Sequence, residues 1–440
     1  MCSSDLEPPP PETVADAPAA EPPATAASAI EKAPAVGSAT EVTAETASTD
    51  ADTSALAADA ATSPPAGRLA SQEREMLTKR FASWTAHLEA DAAAPTLQWR
   101  EDGHQYTAVL RRQPATDAMG MEHATVEVTT ERDGNRFATE LRLTRIAFSN
   151  FAQFVDRWDP EVSIHDDEID GRFHSNSEIH VSGGPGVRPV FRGKVTLAAH
   201  DIATDGGPFG GVGFVNRRTM FPAGLETMAR RISLAPRAPP EAPARETQRF
   251  GHPTAITFYA DGTYGWRPLG SREPEQRRSL GDEPHYLIGA GDDVVLEVRG
   301  TVNGTALVYT PGRIIVADDL RYAHDPHEPA TRDLLGLVAE RSVEIGEPGL
   351  TGPGDLEVYA SIYARGRFVI QNYLSRRSGT LLIYGSLAAG SMTASEPRFA
   401  TKVLFDPRLT SMRAPGFPLS DRYELDSLDG EWRHAPDPLP

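Results

Sequence analysis

The sequence predicts a mainly β protein: a parallel β-helix, or β-solenoid, with a preceding small α+β module and a disordered N-terminal tether. Three observations predict it. The first 66 residues hold ten prolines and no aromatic residue. Residues 67–160 pass from a helical hydrophobic period to an alternating one. From about residue 164, short β-rich pieces recur, each closed by Gly, Asn or Asp. The expected division is 1–66 tether, 67–160 module, 161–425 solenoid with a hairpin and loop excursion at about 205–285, and 426–440 C-terminal tail.

Eleven acids face a single base, Lys32, in the tether, so −10 of the net charge of −19 sits there. Such a segment buries too little apolar surface to offset the entropy of ordering. As a flexible coil, residues 3–66 reach about 40–50 Å. The mild acidity of the remaining 374 residues argues against sequence-independent nucleic-acid binding, which needs basic surface. It also argues against docking on anionic lipid through charge. No run approaches the roughly 18 apolar residues of a spanning helix.

Cys2 is the only cysteine in the chain. "CSSD" followed by a Pro/Ala/acidic tract resembles the mature start of a bacterial lipoprotein, in which the cysteine after the cleaved signal peptide carries the lipid. The resemblance implies lipid attachment at Cys2 and a membrane partner, with Met1 an expression start or a trimmed precursor. Two or three acyl chains give stable anchoring. Asp5 stands three residues beyond Cys2 rather than next to it, so the expected address is the outer membrane. The plain alternative is an incidental cysteine in a disordered tail.

In "RLASQEREMLTKRFASWTAHLEA" (68–90), Leu69, Met76, Leu77, Phe81, Trp84 and Leu88 form one stripe, predicting an amphipathic helix. "HATVEVTTERDGNRFATELRLTRI" predicts a hairpin turning at Asp133-Gly134, where positive φ is needed. "FSNFAQFVDRW" (148–158) reads as a short helix with Phe151, Phe154, Val155 and Trp158 inward.

In the second half, apolar anchors fall at Val298, Val316, Val338, Val358 and Ile383, roughly one per coil of a solenoid. A β-sandwich gives similar short strands, but two-residue hairpin signals are few in 290–390. "TAITFYADGTYGWRPL" (254–269) is a hairpin around Asp261-Gly262, and the Pro- and Arg-rich stretch 232–250 reads as a surface loop.

Four motifs then stand together: "DDEIDGRFHSNSEIHV" with "PVFRGKVT", "GTVNGTALVYTPGRIIVADDLRYA" with "DLLGLVAERSVEI", "GDLEVYASIYARGRFVI" with "GTLLIYGSLAAG", and "VLFDPRL" with "APGFP". Over roughly 160–420 the chain resembles a poorly characterised bacterial domain of type IV pilus-assembly and minor-pilin-like proteins. The resemblance implies an exported β-helical body without established catalysis, associated with pilus or envelope proteins. Pilin-like relatives start with a methylation site and a long apolar helix. Here Cys2 and a tether stand in that place, which favours a membrane-tethered solenoid over a filament subunit.

The densest functional cluster is "SIHDDEIDGRFHSNSEIH", with His165, Asp166, Asp167, Glu168, Asp170, His174, Glu178 and His180. On one strand His174, Glu178 and His180 would share a face, a pattern suited to a transition metal. The structural alternative has His174 and Asn176 bonding backbone at a corner. "YAHDPHEPATRD" (322–333) offers His324, Asp325, His327 and Glu328 on a proline-stiffened loop. Tyr359, Tyr363, Tyr373 and Tyr384 form either an external aromatic ladder for glycans or cross-coil packing. "DGGPFGGVGF" (205–214) lacks the lysine and helix of a phosphate cradle, and no serine stands in a nucleophile elbow.

The expectation is therefore a protein without cofactor, metal or catalytic residues. It is a non-catalytic, lipid-anchored envelope protein whose solenoid binds or scaffolds an envelope or pilus component. The alternative is a β-helical protein that binds or cleaves polysaccharide.

Overall fold

The computed structural model describes residues 67–85, 95–165, 167–182, 189–198, 202–204, 207–208, 220–228, 230–376 and 379–435. The tether and Cys2 lie outside these residues. The protein is mainly β, with mixed sheets that contain long parallel segments. Among the described residues no helix is long and apolar enough to cross a membrane.

The apolar stripe of the first segment becomes helix α1 (Ser71–Thr85). It buries Leu77 and Phe81 against Trp99, Tyr106 and Trp432. The helix lies on an antiparallel meander of β1 (Thr96–Glu101), β2 (His104–Gln113), β3 (His123–Arg132) and β4 (Asn135–Ala147). The predicted turn at Asp133-Gly134 is present, with φ of 50° and 75°. A second one, Asp102-Gly103, joins β1 to β2 with φ of 51° and 80°. Such paired positive values match the twist of the flanking strands.

The C-terminal residues belong to this module. Leu419–Leu428 and Arg433–His434 both pair antiparallel with β4. The sequence had placed them at the end of the solenoid and in a tail, because pairing across some 280 residues leaves no local trace. The polar centre is local to the module as well. Glu73 bonds the buried Arg132 and accepts from Trp432 Nε1 at 3.1 Å.

The stretch 148–158 is not a helix. A 3₁₀ turn (Phe148–Asn150) leads into β5 (Gln153–Val155). All three β5 residues are buried, and a strand buried on both faces shows no alternation to separate it from a helix.

β5 opens a set of parallel ladders. Ladder I joins ten parallel strands: Thr247–Phe250, His285–Gly289, Thr305–Thr310, Leu334–Ala339, 361–364, 386–389, β5, Phe173–Ser175, Val195–Leu197 and Leu225–Thr227. Ladder II joins 254–258, 295–298, 313–316, Ser342–Ile345 and 367–370. Ladder III runs from 300–302 through 320–322, 356–360, 381–385 and Phe399–Phe405 to Glu168–Asp170 and Val190–Phe191.

The chain's route through ladder I is not sequential. From β5 it proceeds to Leu225–Thr227, then crosses back over 228–246 to Thr247–Phe250. From there it returns strand by strand until 387–389 pair with β5. The crossing segment is a surface loop as read, exposed over most of 233–246, and it is tied down as a strap at a few anchors. Ile232 is buried and its N–H donates to Asn176 Oδ1 at 2.8 Å; the Ala235 N–H donates to Tyr363 Oη at 3.0 Å. Prolines 236, 239, 240 and 243 keep it extended and remove N–H groups that would lack partners. The excursion read at about 205–285 contains ladder strands at Leu225–Thr227 and Thr247–Phe250. The hairpin Thr254–Tyr259/Thr263–Pro268 turns at Gly262 as expected and is extended by Gln276–Ser279.

The middle strands of ladder I are buried on both sides, whereas its end strands Leu225–Thr227 and Thr247–Phe250 are largely uncovered. Val308, Leu337, Ile362 and Leu387 point into the interior. Tyr309, Val338, Tyr363, Ala388 and Phe154 form an outer layer with Phe148, Leu409 and Phe417. Every residue of "TALVYT" and "LLGLVA" is buried, as parallel strands covered on both faces require. The five sequence anchors are buried but occupy different ladders. Val298 pairs with Val316 on II, Val358 with Ile383 on III, and Val338 lies on I. Within the long strand Gly379–Met392, Gly385 makes the corner from ladder III to ladder I at φ 138°. A Cβ there would lie 2.2 Å from the Ala360 carbonyl oxygen.

Candidate functional site

The 165–180 cluster is dispersed by the fold. The strand Phe173–Ser175 ends before residue 178, and Ile179–Val181 belongs to another sheet, so His174, Glu178 and His180 share no face. His174 is wholly buried on ladder I, stacked on Phe154 with centroids 5.3 Å apart. Its Nδ1 lies 2.8 Å from Thr196 Oγ1 and its Nε2 2.9 Å from Asn176 Oδ1. Burial drives its pKa down to about 4. Asn176 in turn donates to Asp156 Oδ1 and to the Ile232 carbonyl. These residues fasten the strap to the ladder. The corner role read from sequence is found at Asn176, while His174 bonds side chains.

Glu178 is exposed and His180 half-buried. His165 Nδ1 lies 3.8 Å from Glu396 Oε2, and His165 and Asp167 line a small cavity of about 80 Å³ beside Ile164 and Thr393. Asp166 lies outside the described residues. Among the described residues no group of three or more His, Cys, Asp or Glu is arranged to hold a metal ion.

The second cluster and two of the four tyrosines converge. Tyr359 and Tyr384 are register partners on ladder III, Leu404 follows Tyr384, and Asp170 follows Leu404. Arg321 stands one strand before Tyr359, because its neighbour Leu320 pairs with Val358. Alternation turns this column outward, while Val358, Ile383, Val403 and Ile169 fill the interior. Residues 323–327 and Pro407 also line this outward face, giving a groove of about 670 Å³.

The aromatic floor is a packed cluster. Tyr359 lies 5.1 Å from Tyr384 and 5.6 Å from Tyr322, and the His327 ring lies 5.8 Å from Tyr384. Tyr384 is 6% exposed, and its Oη has no hydrogen-bond partner among the described residues. Burial first, then the Asp406 carboxylate, pushes its pKa up to about 12. Tyr322 is raised for the same two reasons.

The imidazoles and the arginine around the groove are engaged. His324 Nδ1 and N–H both meet Asp333 Oδ2 at 2.9 Å, and Asp333 Oδ1 accepts from Gly304 N–H at 2.8 Å. His327 Nδ1 and N–H meet Asp325 Oδ1, each at 2.9 Å. Arg321 is bridged to Asp319 at 2.8 Å and to Glu357 at 2.9 Å. Behind the floor, the wholly buried Asp406 carboxylate takes Arg408 Nη2 at 2.6 Å and Nε at 3.0 Å. The Arg408 guanidinium lies 5.4 Å from the Tyr322 ring.

Sequence reasoning quoted "VLFDPRL" as a motif but assigned Asp406 and Arg408 no role. Asp-Pro followed directly by Arg was the available signal, since the Asp406 side chain also caps the turn by accepting from the Arg408 N–H. Tyr322 and Asp333 flank the quoted loop and were likewise unassigned. Tyr363 lies apart, on the outer side of ladder I against Phe148, and Tyr373 is half-buried at a corner.

No protein-family model matches the chain, and no curated protein matches it. Among solved structures it is similar to the competence-associated pilin ComZ from Thermus thermophilus, at 11% identity and a TM-score of 0.31. The match covers 83% of this chain and 95% of that chain. At that TM-score the likeness carries no argument about fold or role.

Proposed function

We propose that the chain is a non-catalytic envelope protein. It is lipid-anchored through Cys2 and held out on its acidic tether, probing with a parallel β-solenoid formed by the three ladders. The solenoid binds another envelope or type IV pilus-like component, with the ladder III groove as its contact surface. One observation carries the preference for binding over chemistry. The imidazoles and the buried carboxylates at the groove, His324, His327, Asp333 and Asp406, are each held in a fixed pair. Groups committed in this way position walls and floors; a general acid or base has to be able to reach a reacting atom. A ladder whose middle strands are buried on both sides makes a stiff support for such a surface.

The test has two arms on the native, full-length protein. Metabolic labelling with palmitate should mark the wild type and not Cys2→Ser, and the substituted protein should leave the membrane fraction. A photo-crosslinking residue at position 327 should capture an envelope component in intact cells, while one at exposed Leu374 should not. Equal labelling of Cys2→Ser removes the anchor; equal capture from both positions removes the groove as the contact surface.

A further inference from the structure

We propose that the ladder III groove takes a neutral, extended 1,4-linked glycan chain, with one sugar ring lying on Tyr359. This deepens the binding role above by naming the ligand, and it rests on that groove being the contact surface.

The tyrosine geometry selects among ligands that use aromatic rings. A cage for an ammonium group needs rings that stand apart around a central space. Here the centroid separations of 5.1 and 5.6 Å put the rings in contact with one another, so no cation fits between them. Tyr359, the half-buried member of the three, offers a face on which the C–H side of a pyranose stacks as an apolar surface, with the buried Tyr322 and Tyr384 rings supporting it.

The polar groups select further. Tyr384 lines the groove with an Oη that finds no partner among the described residues. That Oη is itself buried below the groove surface, so Tyr384 supports the floor and makes no hydrogen bond to a ligand. Asp170, Asp325 and His327 stand on the rim, all suited to ligand hydroxyls. Two rim carboxylates on an acidic chain disfavour phosphate and anionic polymers.

The spacing supplies the linear component. Arg321, Tyr359, Tyr384, Leu404 and Asp170 stand on successive strands of one ladder, about 4.8 Å apart, so the groove floor runs for about 19 Å. An extended 1,4-linked pyranose chain advances by nearly the same step per sugar, so successive rings meet successive strands. The volume of about 670 Å³ falls within the range of sites that enclose a small ligand.

Calorimetric titration of the purified full chain tests this with cellohexaose and chitohexaose, using polygalacturonate as the charged control. The expected result is binding of at least one hexasaccharide with a Kd between about 1 μM and 1 mM. Tyr359→Ala should weaken it at least tenfold and Tyr359→Phe should preserve it. Tyr384→Phe, which removes only a hydroxyl buried below the floor, should leave the affinity unchanged. Should Tyr359→Ala fail to fold, Leu404→Lys on the half-buried floor replaces it. No heat with either hexasaccharide, wild-type affinity in the alanine or lysine variant, or equal binding of polygalacturonate overturns the proposal. Capture of an envelope protein at position 327 without glycan binding would overturn this inference while leaving the binding role intact.

Discussion

The buried imidazole of His174 makes stability depend on pH in a calculable way. Burial lowers its folded pKa to about 4 from an ordinary value of 6.5, so the folded state holds it neutral while the unfolded chain protonates it. Its contribution is fully present above the unfolded value. It is lost as pH falls through 6.5 toward 4, where the unfolded state binds the extra proton. At 1.36 kcal/mol per pKa unit the whole shift is worth about 3 kcal/mol, of which about 2 kcal/mol is gone by pH 5. Lowering the pH should also loosen the strap, since a cationic ring beside Arg172 and Arg422 disturbs the Asn176 bonds to Ile232. The assay is urea unfolding of wild type and His174→Gln at pH 8, 6 and 5, with the m-value checked for constancy. The variant should be less stable at pH 8 and should lose about 2 kcal/mol less than wild type between pH 8 and pH 5. Carboxylates and other histidines, including the lowered His285, act equally in both proteins and cancel. Parallel pH curves for the two proteins would refute the reasoning.

Three further outcomes follow from packing. Asp406→Asn leaves the Arg408 guanidinium without its carboxylate behind the groove, and should cost about 3–5 kcal/mol in chemical denaturation. Gly385→Ala places a methyl group 2.2 Å from the Ala360 carbonyl at a positive φ, and should lower the melting temperature more than Gly352→Ala, whose Cβ meets nothing within 4 Å. Ile232→Ala empties a buried site beneath the strap, costing about 2–5 kcal/mol, and should expose 233–246 to proteases before the ladders unfold.

Legibility from sequence followed the range of the interactions. α1 and the Asp133-Gly134 and Asp261-Gly262 turns were readable because stripe and turn chemistry act within a few residues. The repeating β texture of 290–390 was readable too, although its anchors belong to three ladders, since one-dimensional spacing does not say which face an apolar residue enters. β5 was misread as helix because burial on both sides erases alternation. The loop at 232–246 was readable from its prolines and charges, but its anchoring was not, because its partners Asn176 and Tyr363 lie far away in sequence. At the site, the loop at 322–333 and two tyrosines stood out separately. Their meeting on one surface depends on ladder register, as does the dispersal of His174, Glu178 and His180.

The route through ladder I also governs when the molecule can fold. β5 needs 387–389 on one flank, and β4 needs Leu419–Leu428, so the first strands synthesised wait for the last. Closing so long a loop costs entropy before any contact repays it, which makes the reaction slow. One flank of β5 is an open edge until residue 389 has emerged, and the outer edge of β4 stays open until residues 419–434 have emerged. A chain built this way closes late, like a clasp whose two halves lie far apart along the chain.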